Sequence, residues 1–274
     1  LSHRGSYFSY FARAQKRAGF KARDLGWLYD YPLPNNREVH AVDYILNIVR
    51  KVGGIPPEKP QMSIPFSSTT REAVQDQLQL RGIKKGISLI AIHPGGKFFT
   101  LKRWPQPKFA ALVKKIDSIL NTQIIFIGGS EDRNLAQALI DPKHSYNNKP
   151  RNMAGELSIK EAAALLEKVD LFVGNDSAPQ HIAAAAEAPV ISLCGPTNPV
   201  NFHPYGTRYK IVRAEGVNCS PCFHWLGNLT QYLPQYLPRW AHKCDNRCMQ
   251  GITVAQVMQN ILLFLPGVKK DMLL

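Results

Sequence analysis

The sequence predicts an α/β fold built on a doubly wound, Rossmann-like parallel sheet, and three observations predict it. From Ile87 onward, short apolar runs alternate with segments of helical period, the pattern of successive βα units. These runs are rich in β-branched residues and do not alternate with polar ones, as strands buried on both faces require. Residues 1–80 carry almost no such runs. Two regions are therefore expected, 1–80 and 87–265. The chain has 274 residues, 45% of them hydrophobic and 20% charged, so it can bury a core without staples.

Within the first region, SYFSYFARAQKRAG (6–19) is expected to be helical and to stop at Gly19. A stretch containing Pro, Asn and Gly follows. VHAVDYILNIVRKVGG (39–54) predicts a second helix closed by two glycines, and IPPEKPQMSIPF (55–66) an extended, proline-rich segment. At most one convincing strand precedes Ile87, too little for a complete Rossmann-like domain, so these residues read as the tail end of one.

Five strands are expected next, at residues 87–93, 123–129, 170–175, 189–195 and 209–213. Helices lie between them. One follows Pro105, where proline suits a first helical turn. Another starts at Ser158 with a capping box to Glu161, a third follows Asp176, and a last begins at Thr253 with Gln256 completing the same box. No internal repeat or low-complexity tract appears.

Lys and Arg total 34 against 20 Asp and Glu, a formal charge of +14 that favours anionic partners such as phosphate esters, acidic lipid surfaces or nucleic acid. Basic residues are densest early, at Arg4, Arg13, Lys16, Arg17, Lys21 and Arg23. They read as a solvated helix face, with a membrane-surface or acceptor-binding patch as the alternative. No apolar run reaches the roughly 18 residues of a membrane-spanning helix. LSHRGSYFSYF holds no apolar core followed by a cleavage site, so no secretory signal is expected and the expected location is cytoplasmic.

In an open parallel sheet, ligands bind beyond the carboxyl ends of the strands. The first strand is followed by HPGGKFFTLKRWP, where Gly95 and Gly96 let the backbone approach a ligand and Lys97, Thr100, Lys102 and Arg103 suit a phosphate cradle. A tight turn with surface lysines is the alternative. The second is followed by GGSED, which puts Glu131 at a helix start, as a ribose-binding carboxylate or as a favourable N-terminal charge. After the third comes GNDSAPQHIAAAAEAP, in which Asp176, Ser177 and His181 gather within about one helical turn. His181 alone reads as a structural histidine. After the fourth, Thr197 and Asn198 of CGPTNPVNFHPYG face the same crevice.

Taken together, HPGG-x5-KRWP, GG-x-E, GNDS-x3-H-x-AAA and GPT-x-P, in this order, resemble glycosyltransferase family 9, the ADP-heptose:lipopolysaccharide heptosyltransferase family. The resemblance covers nearly all of residues 87–265 and extends more weakly upstream. It implies a GT-B fold, two Rossmann-like domains across a cleft, here with an incomplete N-terminal, acceptor-side domain. The second domain holds the nucleotide sugar. Carried over, Lys102 matches the lysine on the diphosphate, with Gly95 and Gly96 in the turn beside it. Glu131 matches the acid on the ribose, and Asp176 and His181 match the D-[ST]-G-x-x-H motif. Ser177 and Thr197 complete the implied donor site. Ala178 stands where that motif has glycine, which holds the backbone further from a donor.

The resemblance also implies inverting transfer of a heptose from ADP-heptose to an anionic, lipid-linked saccharide of the lipopolysaccharide core. No cofactor is required for that chemistry, and peripheral contact with the inner membrane is expected. The sequence contains no Asp-x-Asp triplet, which argues against a metal-bridged GT-A mechanism. The family's catalytic carboxylate lies in the first βα loop of the N-terminal domain, and no counterpart precedes Leu1. Roughly the first two βα units are therefore expected to be missing, no general base is assigned, and a catalytically silent donor-binding remnant is an alternative.

Cys219-x2-Cys222 and Cys244-x3-Cys248, 21 residues apart, have spacing that suits a structural tetrahedral zinc or iron site. Free thiols and disulfides are the alternatives, and a cytoplasmic setting disfavours disulfides. The quartet and the positive charge also allow a basic zinc-ribbon protein that binds nucleic acid. That reading leaves the four strand-end motifs unexplained.

Overall fold

The computed structural model of the chain describes residues 3–12, 14–20, 23–34, 38–96, 100–222 and 244–265. It opens with helix α1 (His3–Phe11) and two parallel-paired strands, β1 (Ala18–Phe20) and β2 (Tyr31–Leu33). Two expectations are corrected here. The first helix ends at Phe11 rather than Gly19, and two strands precede Ile87. Three-residue strands are too short to show a period of two. Gly19 serves the strand: a Cβ there would lie 2.5 Å from the Tyr29 ring.

Helix α2 (Ala41–Lys51) forms as expected, capped by His40, and Phe20 stacks on Tyr44 in a small separate cluster with Leu33. Helix α3 (Ser68–Leu80) was not expected. Ser67 caps it by accepting the Thr70 N–H at 3.1 Å, and it buries only Val74 and Leu78, against the main sheet.

That sheet contains β3 (Ser88–His93), β4 (Thr122–Phe126), β5 (Arg151–Asn152), β6 (Leu171–Asn175), β7 (Val190–Leu193) and β8 (Tyr209–Val212). Its order is β5-β4-β3-β6-β7-β8, with every pair parallel. The strands alternate between two cores, as the pleat requires. On β3, Ile90 and Ile92 share a core with α4 (Gln106–Ile119), α5 (Arg133–Ala138) and, further along the chain, α10 (Val254–Phe264). Leu89 and Ala91 share the other with α3, α6 (Ile159–Leu166) and α7 (Ala178–Ala185). Both expected capping boxes form, at Ser158 with Glu161 and at Thr253 with Gln256. The chain winds outward from β3 to β5, returns to place β6 beside β3, and winds out the other way. Winding reverses between β3 and β6, and a crevice opens beyond the ends of those two strands.

Three side chains tie the N-terminal elements to the loop that follows β7. His40 Nε2–H donates to the His203 carbonyl at 3.0 Å while its Nδ1 accepts the Val42 N–H at 3.1 Å. Asn201 donates to the Val39 carbonyl at 2.9 Å, and the Tyr205 hydroxyl to Asp43 at 2.8 Å. Both ring nitrogens of His40 are committed to the neutral tautomer. Burial, with His203 close by, pushes its pKa down to about 4 from 6.5. The unfolded chain therefore takes up a proton that the folded chain refuses. This contribution is complete above pH 6.5 and is lost as pH falls towards 4, at about 1.4 kcal/mol per pH unit. His40→Gln keeps a donor without titrating, so its urea stability should vary less across that window, by about one proton. Equal slopes for the two proteins would refute the assignment.

Candidate functional site

Where winding reverses, Asn175 at the end of β6 is fully buried and joins the two loops. Its side-chain oxygen accepts the Trp104 N–H at 2.9 Å, and its amide donates to the Pro94 and Gly95 carbonyls, each at 2.9 Å. Trp104 in turn donates its indole N–H to the Ile252 carbonyl at 3.0 Å and packs edge-on against Phe109. Arg103 turns back and donates twice to the Gly96 carbonyl, at 3.0 and 2.8 Å, so it braces the loop rather than facing a ligand. Gly96 holds φ +151°, a backbone region that favours glycine. Lys97 lies outside the described residues.

On the other side of the crevice, Asp176 collects three donors: Lys102 Nζ at 3.3 Å, the Thr197 hydroxyl, and the amide of buried Gln180. Gln180 also donates to the Phe202 carbonyl at 3.2 Å. Burial lowers the pKa of His181 although Asp176 pulls it back, so its ring is neutral near pH 7. Glu131 stands exposed at the rim, its carboxylate folded over Gly129. Asn198 turns away and caps a short helix, α8 (Pro199–Phe202), by accepting the Val200 N–H at 3.1 Å.

Gly95, Gly96, Lys102, Glu131, Asp176, Ser177, His181 and Thr197 all line one cleft of about 700 Å³. Its far wall is apolar, from Ile127, Leu157, Ile159, Ala162, Leu166 and Ile182. A half-buried cation beside a cluster of hydroxyl and amide groups, next to an apolar wall, suits a phosphate ester with a flat, weakly polar end. Sequence reasoning missed four residues: Asn175, Gln180, His93 and Asp132. His93 and Asp132 are buried in the cleft floor, with His93 Nε2 3.1 Å from Asp132 Oδ2 and His93 Nδ1 3.0 Å from Ser177 Oγ. Their only signal was proximity to the strand-end glycines.

The four cysteines gather behind Thr197. Cys222 donates its N–H to the Pro196 carbonyl at 2.8 Å, and Cys248 is buried against Gly195. Burial and the other three thiols push the Cys222 pKa up to about 11. None forms a disulfide, and among the described residues no group of three or more side chains is arranged to hold a metal ion. Cys244 Sγ accepts the Asn246 N–H at 3.4 Å and Cys248 donates to the Asn246 side-chain oxygen at 3.8 Å, so both sulfurs are drawn onto Asn246, in helix α9's (Arg247–Gln250) N-terminal turn. Exposure and thiol acidity then set reactivity. Mild alkylation at pH 7.5 should label exposed Cys219 first. Cys194, buried and pushed up to about 11, should react only on unfolding. Mass spectrometry of the native protein showing Cys194 labelled early would refute this order.

The family model for glycosyltransferase family 9 (heptosyltransferase) matches residues 2–233. Lipooligosaccharide heptosyltransferase 2 of Haemophilus influenzae is 28% identical over 229 residues, covering 77% of this chain and 63% of that protein. The structure of E. coli ADP-heptose LPS heptosyltransferase II superimposes with a TM-score of 0.69 at 20% identity, over 96% of this chain and 73% of that one. E. coli heptosyltransferase WaaC, solved with ADP, gives 0.60 at 18% identity, over 90% of this chain and 65% of that one. The expected α/β fold is that of these GT-B heptosyltransferases, although the chain spans only about 63% of the length of its curated Haemophilus relative. With most of its length matched by the family model, the chain belongs to glycosyltransferase family 9.

Proposed function

We propose that this chain carries the donor side of an inverting glycosyltransferase that moves a heptose from ADP-heptose, or a related nucleotide sugar, to a lipopolysaccharide core-type acceptor. One observation carries the reading: Lys102, Asp176, Ser177, His181 and Thr197 converge at the reversal of winding, beside an apolar wall wide enough for a base. In the reaction, the acceptor hydroxyl loses its proton and attacks the anomeric carbon while the bond to the diphosphate breaks. The transition state is oxocarbenium-like, and negative charge grows on the leaving ADP. Lys102 answers that charge. Gly95 and Gly96 bring backbone close to the diphosphate, and Glu131 at the rim accepts from the ribose. The chemistry calls for no cofactor, and no residue of this chain is assigned as the base.

Residues 1–80 would then belong to the acceptor side, except for α3, which packs on the main sheet, and 87–265 to the donor side. The separate Phe20–Leu33–Tyr44 cluster supports that division. No helix among the described residues is long and apolar enough to cross a membrane. The +14 charge suits peripheral contact with an anionic membrane from the cytoplasmic side. The nucleic-acid reading gives no account of the cleft and is set aside.

Two measurements test the proposal. Lys102 is tied to Asp176 in the free cleft, so Lys102→Ala removes a charge-assisted contact and also unmasks a carboxylate. Calorimetry should show ADP binding weakened roughly 10- to 100-fold. Unchanged affinity would remove Lys102 from the site. The second compares turnover of this chain with that of a version carrying its genomic upstream segment, using ADP-heptose and a deep-rough lipopolysaccharide acceptor. The shorter chain should be slower by at least the general-base contribution of roughly 10²–10⁴-fold. Equal turnover would show that the base lies among the residues described.

A further inference from the structure

We propose that Asp132 and His93 are positioning residues that hold Ser177 as a hydrogen-bond acceptor towards the cleft, where it takes an alcohol hydroxyl of the ligand. The inference deepens the donor reading and rests on it.

Asp132 is wedged where Gly95 and Gly128 have no Cβ; added ones would lie 1.8 and 2.6 Å from its carboxylate oxygens. Burial pushes its pKa up, but the hydrogen bonds from His93 and from the Gly129 N–H, at 3.1 Å, win and bring it below the ordinary value. The carboxylate is ionised and carries no proton, so the proton between it and His93 sits on Nε2. The other ring nitrogen, Nδ1, lies 3.0 Å from Ser177 Oγ. Nδ1 and the Asn175 carbonyl, 3.0 and 3.1 Å away, both lie within hydrogen-bond reach of the Ser177 hydroxyl, and its proton is held among these buried groups rather than turned to the cleft.

The hydroxyl's only remaining capacity towards the cleft is to accept. Ser177 is half-buried, opens helix α7 without capping it, and lines the cleft. Phosphate oxygens are acceptors too, so Ser177 is mismatched to them and leaves them to Lys102. Its partner is a hydroxyl, of the ribose or of the transferred sugar. The three-member chain matches the logic by which a buried carboxylate sets a histidine tautomer and the histidine orients a serine.

Nitrogen NMR of the histidine rings, on the unliganded protein at pH 7.5, should show His93 protonated at Nε2. Calorimetry with pyrophosphate, ADP and ADP-heptose then reads Ser177→Ala. Pyrophosphate affinity should be unchanged. A loss of roughly 3- to 10-fold for both ADP and ADP-heptose assigns the ribose, and for ADP-heptose alone the transferred sugar. Ser177→Thr should restore binding. His93→Gln, which keeps a contact to Asp132 and loses Ser177, should match Ser177→Ala and add nothing to it in the double variant. If His93→Gln does not fold, the Ser177 variants decide, because Ser177 does not cap its helix. A His93 ring bare at Nε2, an equal loss for pyrophosphate, or no loss with any probe would overturn the proposal. Should the wild type bind none of the three probes, the donor reading fails. The ring protonation of His93 then tests the relay by itself.

Discussion

One buried amide holds the cleft in shape. Asn175 ends β6 and hydrogen-bonds three backbone groups of the loop that follows β3, which ties together the two strand ends on either side of the winding reversal. An amide buried without such partners would cost roughly 1–3 kcal/mol. Satisfied, it ties Pro94, Gly95 and Trp104 to the end of β6. Trp104 reaches the Ile252 carbonyl with its indole while its own N–H is held by Asn175, and Arg103 next to it braces Gly96. Lys102, between the pinned backbone and the cleft, is delivered to Asp176, the residue that follows Asn175.

The arrangement around Asp176 prepares the free cleft for an anion in spite of the carboxylate within it. Lys102, Thr197 and Gln180 all donate to Asp176, so each is already oriented before a ligand arrives. Ordering donors in advance lowers the entropic cost of binding. It also sets up a competition, since a diphosphate must share Lys102 with Asp176. At 3.3 Å and with Lys102 partly in contact with solvent, that ion pair is loose enough to be shared. A close bidentate pair would have withheld the charge.

The sheet and its strand ends were legible because they obey local rules. Unbroken β-branched runs mark strands buried on both faces, and glycine, lysine and acidic residues clustered just past them mark the crevice. What was not legible depends on distance along the chain. Asn175 reaches back 71 residues to Trp104, and His93 reaches forward 39 to Asp132. Neither partner is visible in a local pattern. Helix α3 escaped for a different reason: with only Val74 and Leu78 buried in 13 residues, its apolar stripe is too thin to stand out. The spacing of the cysteine pairs is legible too, whereas the hydrogen bonds of Cys244 and Cys248 to Asn246 follow from no spacing rule.

The two glycines after β3 show how one signal can carry two causes. Both read as openings that let backbone approach a phosphate, and Gly96, with its positive φ, fits that reading. Gly95 has a further constraint from the opposite side. The space its missing side chain leaves is filled by Asp132, which comes from the loop after β4 and is pressed in further by the bare Cα of Gly128. Had either glycine carried a Cβ, the carboxylate could not sit beside His93, and Ser177 would lose the partner that orients its proton. The glycines therefore shape the cleft floor from beneath as well as its surface. A strand-end glycine in a fold of this kind is evidence for close packing first, and which side the neighbour comes from has to be read from the residues that reach it.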